Sequence, residues 1–446
     1  MQSNYEFIRI CYSSLSVLLI LISRIVSGQN TRTEFTGDSV DLQKIVTGVI
    51  ETYPTVMKAK EAINAAVAGI GLANSGYYPD IDFGVGYTRI GPVPSISVPN
   101  MGTFDMAPAN NYNTAVNIRQ TVYDFSKTKT NFQVAESGKA IAEKNINLVK
   151  QRLTSITITS YYMLVYLQEA VKIKDIQLAI LEQHLDFVTR KKESGSATEY
   201  EILSTKMRIS TAKNQKLDIE TALNNQLAML NSLLGLPEST RIKVKNRLFL
   251  HPVNIEYNSL IDYAILHRNE FILTYLRKKQ AELHLQSVKI ENNPVISAFA
   301  SGGIKDGYFP EMSRPKANYT AGLGFRVPIF TANRHKNYMQ IANSDINSIN
   351  QDIEQGKREI SSEVFRNANE IKTSLQKIDQ SELQLEQAEE ARKLADLSYK
   401  SGTLTNLDLL DSESLEAESR LNLLRVKTEY MINSARLEIS IGKLGY

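Results

Sequence analysis

The sequence predicts an α+β membrane protein in which a duplicated unit lends four β-strands per chain to a shared transmembrane β-barrel, continued by long coiled-coil helices. Three observations predict it. The chain repeats itself at a constant offset, each copy holds two alternating runs of about ten residues, and each copy then enters a helical pattern far longer than a globular domain uses.

The repeat comes first because missing one mis-assigns the whole fold. Gly195 aligns with Gly402 at an offset of 207, and the same offset carries Arg119 onto Arg326, Tyr123 onto Phe330, Gln133 onto Gln340, Ala135 onto Ala342 and Gly235 onto Gly442. Upstream the offset is 215, pairing Pro79 with Pro294 and Ile45 with Leu260. One structural unit is therefore written twice. The first copy is placed at 29–253: a helix, a β-hairpin at about 80–122, a long helix pair at 126–234 and a joining segment at 236–254. The second, at 254–446, holds a helix, a hairpin at about 295–328 and a helix pair at 331–441.

Residues 1–28 read as a secretory signal peptide: Arg9 in the n-region, a mostly apolar Cys11 to Ile22, and small residues at Val26-Ser27-Gly28 before Gln29. Cys11 is the only Cys and lacks the small-residue context of a lipoprotein signal, so neither a lipid anchor nor a disulfide framework is expected. Hydrophobic content of 42% and charged content of 22% are those of an ordinary folded chain. A net charge of +3, with no basic run, gives no reason to expect nucleic acid. After the leader no apolar run is long enough for a transmembrane helix.

Asp41 to Asn74 has helical periodicity, with Pro54 kinking or restarting it. The period then changes to two. Ile81, Phe83, Val85 and Tyr87 alternate with Asp82, Gly84, Gly86 and Thr88, which predicts a strand with one apolar and one polar face. A Gly/Pro/Asn-rich loop is expected over 91–111, and a return strand places Tyr112, Thr114, Val116 and Ile118 on one side. The second copy repeats this in Val295 to Gly303 and in Tyr319, Ala321, Leu323, Phe325 and Val327. Runs of about ten residues suit tilted strands crossing a bilayer.

The patterns over 126–191 and 331–401 each predict a helix reaching roughly 100 Å. Each is followed by a returning helix, 198–234 and 405–441. Their apolar spacing is sparse, as in Leu375, Ile378, Leu383, Leu385 and Ala388, which suits thin coiled-coil seams with the other faces wet.

Four strands do not close a barrel, and an open edge in lipid leaves N–H and C=O groups unpaired at several kcal/mol each. The chain must therefore oligomerise. A dimer supplies eight strands around a filled interior; a trimer supplies twelve around a water-filled lumen. The small and polar set Gly84, Gly86, Thr88, Thr320, Gly322 and Gly324 favours the open lumen of the trimer.

Around Gly402 one helix ends and another starts, with Thr405 or Asn406 able to cap it. Tyr399 precedes the turn; Asp408 and Asp411, three apart, share one face after it. Taken alone, two Asp near a helix N-terminus serve the macrodipole and face water. The duplicated layout changes the reading. Together with Leu233-Leu-Gly-Leu-Pro237, Val327-Pro-Ile-Phe330 and Tyr399…Gly402-Thr403…Leu407-Asp408-Leu-Leu-Asp411, it resembles the TolC family of outer-membrane factors over nearly the whole mature chain.

That resemblance implies a homotrimeric, 12-stranded outer-membrane barrel continued by a periplasmic helical tube. It implies an exit duct for efflux or type I secretion, served by a periplasmic membrane-fusion adaptor and an inner-membrane transporter of RND, ABC or MFS type. Tyr399 would belong to a gate network and Asp408 and Asp411 to carboxylate rings at the periplasmic aperture. The turns at Gly195-Ser196 and Gly402-Thr403 would meet the adaptor. Where the family often carries a gate-bonding Arg, this chain has Leu404, so different contacts are expected to hold the closed state. The segment 241–254 would form a belt around the tube.

An enzyme is not expected. His184, His251, His267, His284 and His335 form no metal-binding motif, Ser137-Gly-Lys139 lacks the rest of a P-loop, and no catalytic triad, cofactor or metal site is indicated. The rival reading is an exported coiled-coil scaffold or periplasmic adaptor, whose alternating runs would form a small soluble sheet.

Overall fold

The structure, a computed structural model, describes residues 39–246, 248, 256–308 and 311–443. The expected leader and residues 249–254 of the joining segment lie outside the described residues. In chain order the elements are α1 (Leu42–Thr52), α2 (Pro54–Ser75), β1 (Asp80–Arg89), β2 (Ser95–Val98), β3 (Gly102–Asp105), β4 (Asn110–Tyr123), α3 (Lys127–Glu193) and α4 (Glu199–Leu234). Then follow α5 (Tyr257–His267), α6 (Asn269–Ile290), β5 (Val295–Lys305), β6 (Lys316–Arg326), α7 (Arg334–Lys400) and α8 (Asn406–Ser440). The chain divides into two units: Met1–Lys58, Asn147–Asn269 and Lys357–Tyr446 form one, Ala59–Ile146 and Glu270–Gly356 the other.

The second unit holds one antiparallel sheet in the order β1-β4-β5-β6. Its registers set Phe83 opposite Val116, Val116 opposite Gly302, and Gly302 opposite Tyr319. Because side chains alternate, that row and those two residues on either side share a face: Ile81, Val85 and Tyr87 with Ile118, Ala300, Ala321, Leu323 and Phe325. This face is apolar and bare. Val85 is 72% exposed and Leu323 77%. The opposite face carries a polar ladder, in which Ser301 donates to Asn117 at 2.9 Å and Asn117 donates to Asp82 at 2.8 Å. Gly322 also belongs there, with the Phe299 ring lying where a Cβ would stand, 2.7 Å away at its nearest atom. β1 and β6 are the edges and pair with no further strand among the described residues.

The segment expected as a loop over 91–111 contains a second hairpin, β2 with β3. The correction has a local cause: Ser-Ile-Ser-Val and Gly-Thr-Phe-Asp each alternate, and Asn100 and Gly102 at positive φ supply the turn. No helix among the described residues is long and apolar enough to cross a membrane.

The first unit is helical. Tyr53 is extended because the residue before a proline is driven out of the helical region, so α1 ends there and α2 starts at Pro54. Ile45, Val46 and Val49 of α1 are buried, and Val40 bridges Val244 of the joining segment. That segment is tied to α3 by Tyr161 Oη donating to Lys245 O at 2.8 Å and Gln168 Nε2 to Ile242 O at 3.1 Å. α4 ends at Gly235, whose left-handed φ of 69° closes the helix.

Candidate functional site at the helix turns

The two turns, α3 to α4 and α7 to α8, are built alike. Gly195 and Gly402 have φ of 78° and 81°, which a side chain would strain. The next residue's N–H closes each helix: Ser196 onto Lys191 O and Thr403 onto Ser398 O, both at 2.9 Å. Thr198 and Thr405 then cap α4 and α8 in capping boxes completed by Glu201 and Asp408. Both pairs stand at the repeat offset of 207. Gly195, Ser196, Gly402 and Thr403 are exposed.

Between the turns the packing is apolar. Val188, Ile202, Ala395, Tyr399 and Leu409 form one buried cluster, with Leu404 packed against it. Leu404 therefore contributes contact, not a hydrogen bond, where the resemblance expects an Arg. Tyr399 is 3% exposed. Its Oη donates to Glu201 Oε2 at 2.7 Å, tying the end of α7 to the start of α4. Lys191 Nζ sits 4.4 Å from the Tyr399 ring centroid. Burial, reinforced by the Glu201 carboxylate, pushes the Tyr399 hydroxyl well above the ordinary phenol range. Burial also opposes ionisation of Glu201, but bonds from Tyr399 and Thr198 and the charge of Lys191 outweigh it and hold that carboxyl low. The pair is thus a neutral phenol donating to a carboxylate.

Asn406 lies in the first turn of α8 and is buried rather than capping. Its Oδ1 meets His184 Nε2 of α3 at 2.6 Å, while its Nδ2 donates to Ser204 Oγ of α4 at 3.1 Å. His184 packs edge-on to Tyr399 with centroids 5.3 Å apart. Burial lowers its pKa more than Asn406, Asp396 and Glu201 raise it, so the imidazole is held neutral with Nε2–H as donor.

The two aspartates part company. Asp408 is exposed, and its Oδ2 accepts from Thr405 Oγ1 at 2.5 Å and from Thr405 N at 3.3 Å. Asp411 pairs with Arg208 of α4. That exposed pair contributes about 0–1 kcal/mol, whereas a hydrogen bond to a charged partner, as at Tyr399, contributes about 1.5–3 kcal/mol. The phenol bond is the stronger tie.

Sequence reasoning did not single out Glu201 or Arg208, took Asn406 only as an alternative cap to Thr405, and weighed His184 only as a metal ligand. One signal was present for Glu201: the repeat offset sets it opposite Asp408. For Arg208 and His184 there was none, because their partners lie on other helices.

The pattern of the family described as outer membrane efflux protein matches residues 48–236 and 264–443. Outer membrane protein TolC of Salmonella enteritidis is 20% identical over 440 residues, covering 96% of this chain and 86% of its own. Alkaline protease secretion protein AprF of Pseudomonas aeruginosa is 20% identical over 339 residues, covering 75% of this chain and 70% of its own. Among solved structures, the CmeC outer membrane channel of Campylobacter jejuni aligns with a TM-score of 0.76 at 15% identity, covering 90% of this chain and 85% of that one. The open-state MtrE outer membrane channel of Neisseria gonorrhoeae gives 0.73 at 16%, covering 90% and 88%. Matched over most of its length, the chain is a TolC-like protein of the outer membrane and belongs to the outer membrane efflux protein family.

Proposed function

We propose that three copies of this chain form the outer-membrane exit duct of a tripartite efflux or type I secretion system, a passive channel and not an enzyme. One observation carries the reading: a four-stranded sheet with a continuous bare apolar face and unpaired edge strands. Such a sheet is stable in lipid only when its edges meet other chains. Twelve strands leave room for a water-filled lumen, and the polar ladder of Asp82, Asn117 and Ser301 suits its wall. The helix pairs form the periplasmic tube, and the segment around 241–254 its belt.

The duct is gated at the helix turns. Tyr399 with Glu201, and Asp411 with Arg208, hold the α7–α8 pair against α3 and α4 in the closed state. Asp408 and Asp411, repeated three times, give rings of carboxylates at the aperture that favour cations. Gly195, Ser196, Gly402 and Thr403 are where a periplasmic membrane-fusion adaptor docks and draws the pairs apart, with an inner-membrane RND, ABC or MFS transporter supplying the cargo. Fractionation followed by planar-bilayer recording tests the reading. A duct stays in the outer membrane until detergent is added and then gives stepwise conductance; an exported scaffold leaves with the soluble periplasm and conducts nothing.

A further inference from the structure

Two turns beyond its cap, α8 turns Glu413 and Glu416 inward, each 7% exposed. Glu416 takes both nearby guanidinium groups. Arg392 of α7 pairs with its Oε2, and Arg420 donates to its Oε1 at 2.9 and 2.8 Å. Arg420 also reaches Glu389 of α7 at 2.6 Å. Asp396 of α7 has Lys400 at 2.7 Å, and Asp411 has Arg208 of α4. Of the two glutamates turned inward here, Glu416 is ion-paired and Glu413 is not, although Glu416 Oε2 and Arg392 Nε, facing each other, make no well-directed hydrogen bond. Glu413 Oε2 has no hydrogen-bond partner among the described residues.

That carboxyl lines a cavity of about 20 Å³, room for roughly one water, with Ile176 and Gln177 of α3 on one side and Arg392, Arg420 and Glu416 on the other. The α3 wall offers it no charge. A carboxylate buried without an ion-pair partner is disfavoured in its charged form, and the usual outcome is that the group takes up a proton instead.

We propose that Glu413 is a proton-binding site whose occupancy is coupled to closure of the helix pair. Its carboxyl is protonated while α8 packs on α3 and α7, and it releases the proton to water when the pair moves outward. The coupling rests on the gate reading above. Burial raises this carboxyl; Arg392 opposes, Asp396 and Glu416 add to it, and the result is a pKa of about 7. In an opened, hydrated seam it returns to roughly 4.3. The sign follows: the raised value favours closure fully below the ordinary carboxylate range, and that contribution is lost as pH rises toward 7.

Two measurements on the whole protein in detergent or bilayer test this. Infrared titration of the wild type, with labelled glutamate, is expected to show a protonated carboxyl that disappears near pH 7 and is missing in Glu413→Gln. No such band, or one lost near pH 4.5, overturns the site without reference to conductance. In single-channel records the open-to-closed ratio of the wild type, divided by that of Glu413→Gln, is expected to rise tens of fold between pH 5 and pH 8. Superimposable profiles overturn the coupling while leaving the duct intact. Should neither protein conduct, the duct reading fails and the infrared titration still decides the proton site.

Discussion

Tyr399 Oη donates to Glu201 Oε2 at 2.7 Å, joining residues 198 positions apart in the sequence. The bond links the α7–α8 turn to the α3–α4 turn, and being charge-assisted and partly buried it outweighs the exposed Arg208–Asp411 pair. Tyr399→Phe keeps the ring and deletes the donor. Glu201 is only half-buried, so the loss falls at the low end of the range, about 1.5 kcal/mol per chain, and raises the open-to-closed ratio of each helix pair roughly tenfold. Single-channel recording checks it; an unchanged open probability removes this bond from the gate.

In the proposed gate, His184 is predicted to make closure weaker in acid. Its pKa is lowered by burial, so closure gains from the neutral imidazole above the ordinary histidine value of about 6.5 and loses that gain as pH falls through the lower, folded value. Protonation places a cation beside the Tyr399 ring edge, with Asp396, Glu201 and Lys191 nearby. His184→Gln keeps a donor for Asn406 and does not titrate. Relative to that variant, wild-type channels are expected to open more readily as pH falls below the ordinary histidine range. Parallel pH profiles contradict this.

Asp408 and Asp411 are predicted to differ when changed singly. Asp408→Asn retains an acceptor for Thr405 and is expected to cost stability little, whereas Asp408→Ala deletes the N3 half of the capping box and costs about 0.5–1.5 kcal/mol. Changing both to Asn lowers cation selectivity, read from reversal potentials in a salt gradient. Unchanged selectivity in the double variant counts against carboxylate rings at the aperture.

The two faces of the sheet are predicted to respond oppositely to charge. Leu323→Arg on the bare apolar face costs about 2–4 kcal/mol at mid-bilayer depth and depletes the protein from the outer-membrane fraction. Thr320→Arg, on the polar face of the same strand, is expected to leave the membrane yield unchanged. Equal losses from both variants contradict the assignment of faces.

Much of the fold was legible because it is written in period. Alternation over 81–87 and 112–118 gives β1 and β4, and the Gly402 break gives the α7–α8 turn, since backbone sterics act on neighbours in sequence. The hairpin inside 91–111 was not read, its short alternation being masked by Gly, Pro and Asn. The chemistry of the helix turns was legible only on one side. Tyr399, Asp408 and Asp411 lie within a single stretch, but Glu201, Arg208 and His184 acquire partners only when four helices pack together. The bare fact of Glu413 near the start of α8 says nothing of its isolation, which depends on Arg392 and Arg420 being taken by Glu416.

In the proposed duct the sheet edges β1 and β6 are completed by other copies in lipid. Native mass measurement of the protein extracted from outer membranes in mild detergent tests that most directly. Three chains per particle, falling apart only on heating, is the predicted result. A folded single chain that stays in solution without detergent would contradict it.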